Sequence, residues 1–297
     1  MQLQDGRDVT VNGLKGRLYS SIVDSGPHAG PAVAAEAAGA VAAGTPAAGT
    51  TPGTAETGRQ VYVLLHGIGV SHRYLAKLHQ ELAVSGAAGT PARDAVVYTF
   101  DLPGYGNTPR PGHQVSVAEH AAFVAAVLAD EGVQSCVVVG HSMGVQFAVE
   151  LALQQPDLVS RVVLIGPVVD PARNSAAWHV LALTRDAVFS EKPSTNIVVF
   201  SDYFKAGLRW YLTQLPVMLN YPMEQRTREV TQPVLVLRGG RDPIARRQWC
   251  ENLAHQPRHG SFVEVPGCGH VVQDSAPEAV ARAIVHWATT ADDGVTA

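Results

Sequence analysis

From residue 59 onward the chain repeats one pattern, a short unbroken apolar run followed by a helical segment of roughly 10 to 15 residues. The runs are "QVYVLLHG", "AVVYTFD", "QSCVVVG", "RVVLIGP", "QPVLVLRGG" and "GSFVEVPG". A strand with no polar alternation has no face to turn to water, so it must be covered on both sides. Strands separated by helices of this length join through right-handed crossovers, which place them side by side in one parallel sheet. The pattern predicts an α/β fold with a mostly parallel central sheet flanked by helices.

The helices follow the 3.6-residue period. One is expected from about Ser71 to Val84, with Tyr74, Leu75, Leu78 and Leu82 on one side. Another begins at "VSVAEHAAFVAAVLADEG", where Ser116 caps the helix and Glu119 stands at the capping-box spacing. "MGVQFAVELALQQ" forms a third, ended near Pro156, and residues from about Pro277 to Ala288 close the domain. Residues 1–25 read as an N-terminal hairpin of the core sheet, with Asn12-Gly13 at its turn. Residues 26–58 hold twelve Ala, seven Gly and four Pro, too little large apolar surface to offset the entropy of ordering, and are expected to be a flexible insertion. The core takes residues 59–170 and 231–297. Between them, residues 171–230 lack strand regularity and carry Trp178, Phe189, Phe200, Trp210 and Tyr211, with Leu208, Leu212, Leu215 and Leu219 at helical spacing interrupted by Pro216. This stretch is expected to be a helical cap inserted after the sixth strand.

Charge and cysteine content narrow the function. A net charge of −4 and a sequence pI near 6.3 supply no basic field for nucleic acid or an anionic membrane surface. No run approaches the roughly 20 apolar residues of a membrane span. The start "MQLQDGRDVTV" lacks the charged and apolar regions of a secretory signal. Three scattered cysteines make neither a disulfide framework nor a zinc site. The expectation is a cytoplasmic protein with no metal and no cofactor, whose partner is a small molecule.

The chemistry gathers around "VVVGHSMGVQFA". A strand that runs straight into a helix needs a very tight turn, and the residue at its apex takes strained backbone angles. Gly140 and Gly144 flank Ser142 and remove the side chains that would collide there. The hydroxyl then stands at the carboxyl end of a central strand, where open α/β sheets gather ligands. The N-terminus of the next helix points at the same place and favours developing negative charge. A serine hydroxyl needs a base, and the base needs an orienting acid. Of twelve histidines, His270 follows the last apolar run in "VPGCGHVV", and Asp242 follows the run before it in "VLVLRGGRDPI". A parallel sheet carries both to the rim that holds Ser142.

From about residue 60 to its end the chain resembles the α/β-hydrolase superfamily. "LLHGIG", "DLPGYGNT", "GHSMG", "GGRDP" and "GCGH" match, in order, that family's oxyanion loop, post-strand loop, nucleophile elbow, acid loop and histidine loop. The resemblance implies Ser142 as nucleophile, Asp242 as acid and His270 as base. It also implies an oxyanion hole from the backbone N–H groups of Met143 and Ile68, with His66 and Gly67 supporting the loop. His141 has a packing or supporting role. Asp170, in "GPVVDP", is the rival acid, Asp101 is a loop-structuring carboxylate, and Cys268 is a small packing residue.

A serine in place of an aspartate at the elbow favours acyl chemistry over epoxide opening or halide displacement. The expected activity is hydrolysis of an ester-type bond (carboxylic ester, thioester, lactone or related acyl group) in a mainly apolar, small to medium substrate. The alternatives are a carbon–carbon bond hydrolase, a cofactor-free haloperoxidase or perhydrolase of the same fold, and a receptor-like protein with little turnover. For an enzyme, the rate should rise through the titration of His270, ordinarily near pH 6.5.

Overall fold

In the computed structural model, which describes residues 3, 6–21, 59–84, 95–173, 202 and 207–290, all six apolar runs become strands. They are β3 (Val61–Leu65), β4 (Val96–Asp101), β5 (Cys136–His141), β6 (Val159–Ile165), β7 (Val234–Gly239) and β8 (Gly260–Val265). The N-terminal hairpin adds β1 (Arg7–Val11) and β2 (Leu14–Ser20), joined by Asn12 and Gly13, both at positive φ. The eight strands form one sheet in the order β1-β2-β4-β3-β5-β6-β7-β8. The hairpin is antiparallel within itself and against β4, and every other pairing is parallel.

Alternation along these strands builds two cores, one on each face of the sheet. Val63, Leu65, Val138, Val162, Leu164 and Val236 point to one side, under α2 (Val117–Asp130) and α3 (Gly144–Gln154). Tyr62, Leu64, Val137, Val139, Val163 and Leu235 point to the other, under α1 (Ala76–Val84) and a C-terminal helix over Pro277–Thr290. Each fully buried aliphatic side chain contributes about 1.5–3 kcal/mol relative to exposure, so no strand can be slipped by one residue cheaply. The capping box at Ser116 is present, with Ser116 and Glu119 satisfying each other's backbone N–H.

The connection from β6 to β7 contains two described helices, α4 (Leu208–Asn220) and α5 (Met223–Glu229). Pro216 lies inside α4 without ending it. Its missing N–H frees the carbonyl of Leu212, an exposed position of that helix, while Trp210 and Met218 are buried and hold the helix down. Two further short helices, α6 (Arg247–Ala254) and α7 (Val272–Ser275), precede the C-terminal one, which is α8 (Pro277–Thr290). The expected insertion at 26–58 lies outside the described residues, as do 174–201 and 203–206 of the expected cap. Among the described residues, no helix is long and apolar enough to cross a membrane.

Candidate active site

Ser142 sits between β5 and α3 with φ 56°, the left-handed region that a serine rarely occupies. Its N–H donates to the Ile165 carbonyl on β6 at 3.0 Å, which ties the apex to the neighbouring strand. A Cβ at Gly140 would run into the carbonyl of Gly144, and a Cβ at Gly144 into the carbonyl of Leu65. Both glycines are therefore required by space. From Cys136 to Ala152, Ser142 is the one residue that is not buried. The turn thus does what its sequence implies and lifts one hydroxyl out of a closed core. Met143 is the N-cap of α3, and no side chain caps that helix; the amides of Val145 and Gln146 donate to the carbonyls of Ser142 and Met143 at 3.2 and 3.0 Å.

His270 and Asp242 meet at the same rim. The ring Nδ1–H of His270 donates to Asp242 Oδ2 at 2.9 Å, and both side chains are buried. The other carboxylate oxygen, Oδ1, accepts from the amides of Ile244 at 2.7 Å and Ala245 at 2.9 Å. Burial alone would raise the Asp242 carboxyl; the His270 ring and these two amides outweigh it and hold the group below the usual carboxylate range. The His270 ring packs on His141, the residue before Ser142, with centroids 4.8 Å apart.

The rival acid is occupied elsewhere. Asp170 pairs through Oδ2 with the guanidinium of Arg246 and accepts through Oδ1 from the Ala172 amide at 3.0 Å. Arg246 lies four residues past Asp242, so the segment that carries Asp242 also pairs with Asp170. Val169, just before Asp170, is buried at φ 68°, an uncommon state for a β-branched residue.

The loop that follows β3 passes over the elbow. The Nδ1–H of His66 donates to the Gly67 carbonyl at 2.8 Å, and its Nε2 accepts from Leu102 N–H at 3.1 Å. Burial lowers the pKa of this ring, so it stays neutral, as its one donor and one acceptor require. Gly67 passes directly above the elbow, where a Cβ would come within 2.9 Å of Ser142 Cβ and 3.3 Å of its Oγ. Ile68, the next residue, is buried. Asp101 is also a structural carboxylate, accepting from His72 N–H at 2.8 Å, from the His72 ring at 3.0 Å and from Tyr19 O–H at 3.2 Å. The Cys268 carbonyl accepts from the Arg241 amide, and its side chain packs on the second core. Among the described residues, no three His, Cys, Asp or Glu are placed to hold a metal ion.

Two residues near the site were not singled out by the sequence reading. Arg238, buried at the end of β7, donates to the carbonyls of Ala245 at 2.7 Å and Asp242 at 3.0 Å and pairs with Glu264. An arginine closing an apolar strand is itself a signal, since such a residue is buried only with partners. Tyr74, read as part of an apolar helix face, stands in a short 3-10 turn (His72–Tyr74) with its hydroxyl between Gly67 and His141.

A parallel sheet with a strained serine elbow, an Asp–His pair and a loop laid over the serine defines the class of α/β hydrolases. Residues 62–283 match the alpha/beta hydrolase family, and the chain belongs to it. Hydrolysis by an enzyme is the activity that this membership supports. Among curated relatives, the chain is 23% identical to an (E)-2-((N-methylformamido)methylene)succinate hydrolase of Acinetobacter baylyi, over 65% of this chain and 80% of that protein. It is 26% identical to a pimeloyl-[acyl-carrier protein] methyl ester esterase of Nitrosospira multiformis, over 72% of this chain and 94% of that one. Two other relatives are matched over less than half their length. Among solved structures, a thermophilic esterase from Thermogutta terrifontis superposes with a TM-score of 0.70 at 17% identity, covering 96% of this chain and 98% of that one.

Proposed function

We propose that this hydrolase cleaves an ester-type acyl bond through a covalent acyl-enzyme, with Ser142 as nucleophile, His270 as base and Asp242 as orienting acid. The observation that carries the reading is the buried His270–Asp242 hydrogen bond of 2.9 Å beside a serine held at φ 56°. In this scheme Ser142 Oγ attacks the acyl carbon while His270 Nε2 takes its proton. The amides of Met143 and Ile68 receive the developing oxyanion, and His270 returns the proton to the leaving group. Water then repeats the sequence on the acyl-enzyme. Gly67 N–H donates to the Tyr74 hydroxyl at 2.7 Å, which favours the amide of Ile68 as the loop's contribution. With Asp242 ionised and aimed at Nδ1, His270 keeps Nε2 for the serine.

The substrate class rests on composition and on relatives. The stretch proposed as a cap, residues 171–230, is mainly apolar, which suits a small to medium hydrophobic acyl group. The esterase named among the relatives acts on a methyl ester, and this supports an ester-type substrate. The experiment is turnover of p-nitrophenyl acetate and butyrate together with fluorophosphonate labelling read by mass at Ser142. Ser142→Ala and His270→Ala should abolish both. Equal turnover in these variants and in the wild type would remove the assignment.

A further inference from the structure

We infer that Tyr74 is a positioning residue whose hydroxyl couples the oxyanion loop, through His141, to the backbone of the base. This inference rests on the serine-hydrolase reading above. Three hydrogen bonds carry it. Gly67 N–H donates to Tyr74 Oη at 2.7 Å, Tyr74 Oη and His141 Nδ1 are 2.8 Å apart, and His141 Nε2 and the His270 carbonyl are 2.9 Å apart. Tyr74, His141 and His270 are all buried.

The proton positions follow from the partners. A carbonyl only accepts, so His141 Nε2 carries a hydrogen and donates it to His270 O. Burial, with His270 next to it, pushes the His141 ring down to about 3, so it is neutral and its Nδ1 is a bare acceptor. The Tyr74 O–H must therefore donate to Nδ1, which leaves the phenol lone pairs for Gly67 N–H. Every donor in the chain has one acceptor, and the order cannot be reversed without leaving the His270 carbonyl facing a lone pair.

The chain of bonds joins the three loops that the reaction needs in register. Gly67 precedes Ile68 in the oxyanion loop, His141 precedes Ser142 in the elbow, and His270 is the base. The edge-on packing of Tyr74 on His141, centroids 5.1 Å apart at 75°, holds the imidazole in the plane these bonds require. The neighbours of Tyr74 serve as its anchors: the His72 ring bonds to Asp101, and the Arg73 guanidinium bonds to Asp202 at 2.8 Å. A phenol removed from this junction frees the loop carrying one oxyanion donor and the imidazole supporting the base at the same time.

The test is Tyr74→Phe, which keeps the ring and removes the hydroxyl. With kcat expressed per serine labelled to completion by fluorophosphonate, so that misfolded protein is not counted, kcat should fall about 10- to 100-fold. KM should change less than about threefold, because the contact lies behind the loop and not against the substrate. His141→Gln supplies an amide that can donate to the His270 carbonyl, and should be at least about tenfold faster than His141→Leu, which cannot. The Tyr74→Phe, His141→Leu double variant should be no slower than His141→Leu alone to within about threefold, as expected of residues acting in series. A Tyr74→Phe enzyme with wild-type kcat per labelled serine, or equal rates for His141→Gln and His141→Leu, would overturn the positioning role while leaving the hydrolase reading intact. The histidine pair decides the matter if Tyr74→Phe does not fold. A wild-type protein that neither turns over esters nor labels at Ser142 would overturn both.

Discussion

Adding a single methyl group at Gly67 should slow the enzyme about 10- to 100-fold while the protein still folds. In Gly67→Ala the new Cβ lies 2.9 Å from Ser142 Cβ, and 3.3 Å from both the His141 carbonyl and Ser142 Oγ. Carbon atoms settle near 3.5 Å or beyond, so the two backbones must separate by about 0.6 Å. Ser142 has no freedom to retreat: it is held at φ 56°, bonded to Ile165, and flanked by glycines whose own neighbours are in contact. The movement therefore falls on the loop, whose Gly67 N–H is bound to Tyr74 at 2.7 Å and whose next amide is the proposed oxyanion donor. A displacement of this size at a reacting centre costs roughly 10- to 100-fold in kcat, since about 1 Å of misplacement costs on the order of 100-fold. The stability cost is that of mild overpacking, about 1–3 kcal/mol. Steady-state turnover per labelled serine and a thermal melt read the two effects separately. Gly112→Ala is the control, because a Cβ there meets nothing within 4 Å; its rate and melting temperature should match the wild type. Wild-type turnover in Gly67→Ala would mean that the loop above Ser142 is not where the reacting oxygen sits, and the oxyanion assignment would be refuted.

Two other predictions follow from charge. Asp242→Asn should lower kcat by about 10⁴-fold by presenting the wrong partner to His270 Nδ1, while Asp170→Asn should leave kcat within about threefold, as measured by ester turnover. Stability should be full above pH 6.5 and fall as the pH drops, because His79, His120 and His141 are buried neutral with values near 4, 3 and 3 while the unfolded chain protonates near 6.5 and so binds more protons. At pH 5 each ring costs the fold about 2 kcal/mol, at 1.36 kcal/mol per pH step; equal urea midpoints at pH 7.5 and pH 5 would refute this.

Sheet, elbow and the Asp–His pair were legible because each is written in local terms. An apolar run such as "CVVV" has one place to go, and a glycine on either side of Ser142 reports the space that the turn lacks. The order of the loops along a parallel sheet then brings Asp242 and His270 to the serine's rim without any knowledge of side-chain packing. What escaped depends on partners distant in sequence. The "GGRDP" segment favours Asp242 over Asp170, but the pairing that occupies Asp170, with Arg246 in a distant segment, is not visible from its own surroundings in sequence. Tyr74 fits an apolar helix face as well as any residue, and only the approach of Gly67 and His141 gives its hydroxyl meaning. Met223–Glu229 and Arg247–Ala254 are about two turns long, shorter than the window over which a helical period can be recognised. Pro216 signals a break, yet the buried Trp210 and Met218 keep α4 continuous through it.

The site is also where the fold is least favourable by its own local rules. A non-glycine residue in the left-handed region costs about 1–3 kcal/mol, and both Ser142 and Val169 are held there. Asp242 is ionised without access to water, and α3 starts with no side-chain cap. Each of these is offset from outside the proposed reacting centre. Arg238 grips the backbone carbonyls of the acid loop, Arg246 ties that loop to Asp170, and Trp249 Nε1–H donates to the Pro167 carbonyl at 3.0 Å below Val169. The strain at Ser142 is held between strands β5 and β6, which are buried on both faces and are among the last elements that could yield. The strained turn is what leaves Ser142 the one residue from Cys136 to Ala152 that is not buried. The proposed reacting groups therefore sit in locally unfavourable geometry, and guanidinium clamps and a two-sided core keep those groups in place.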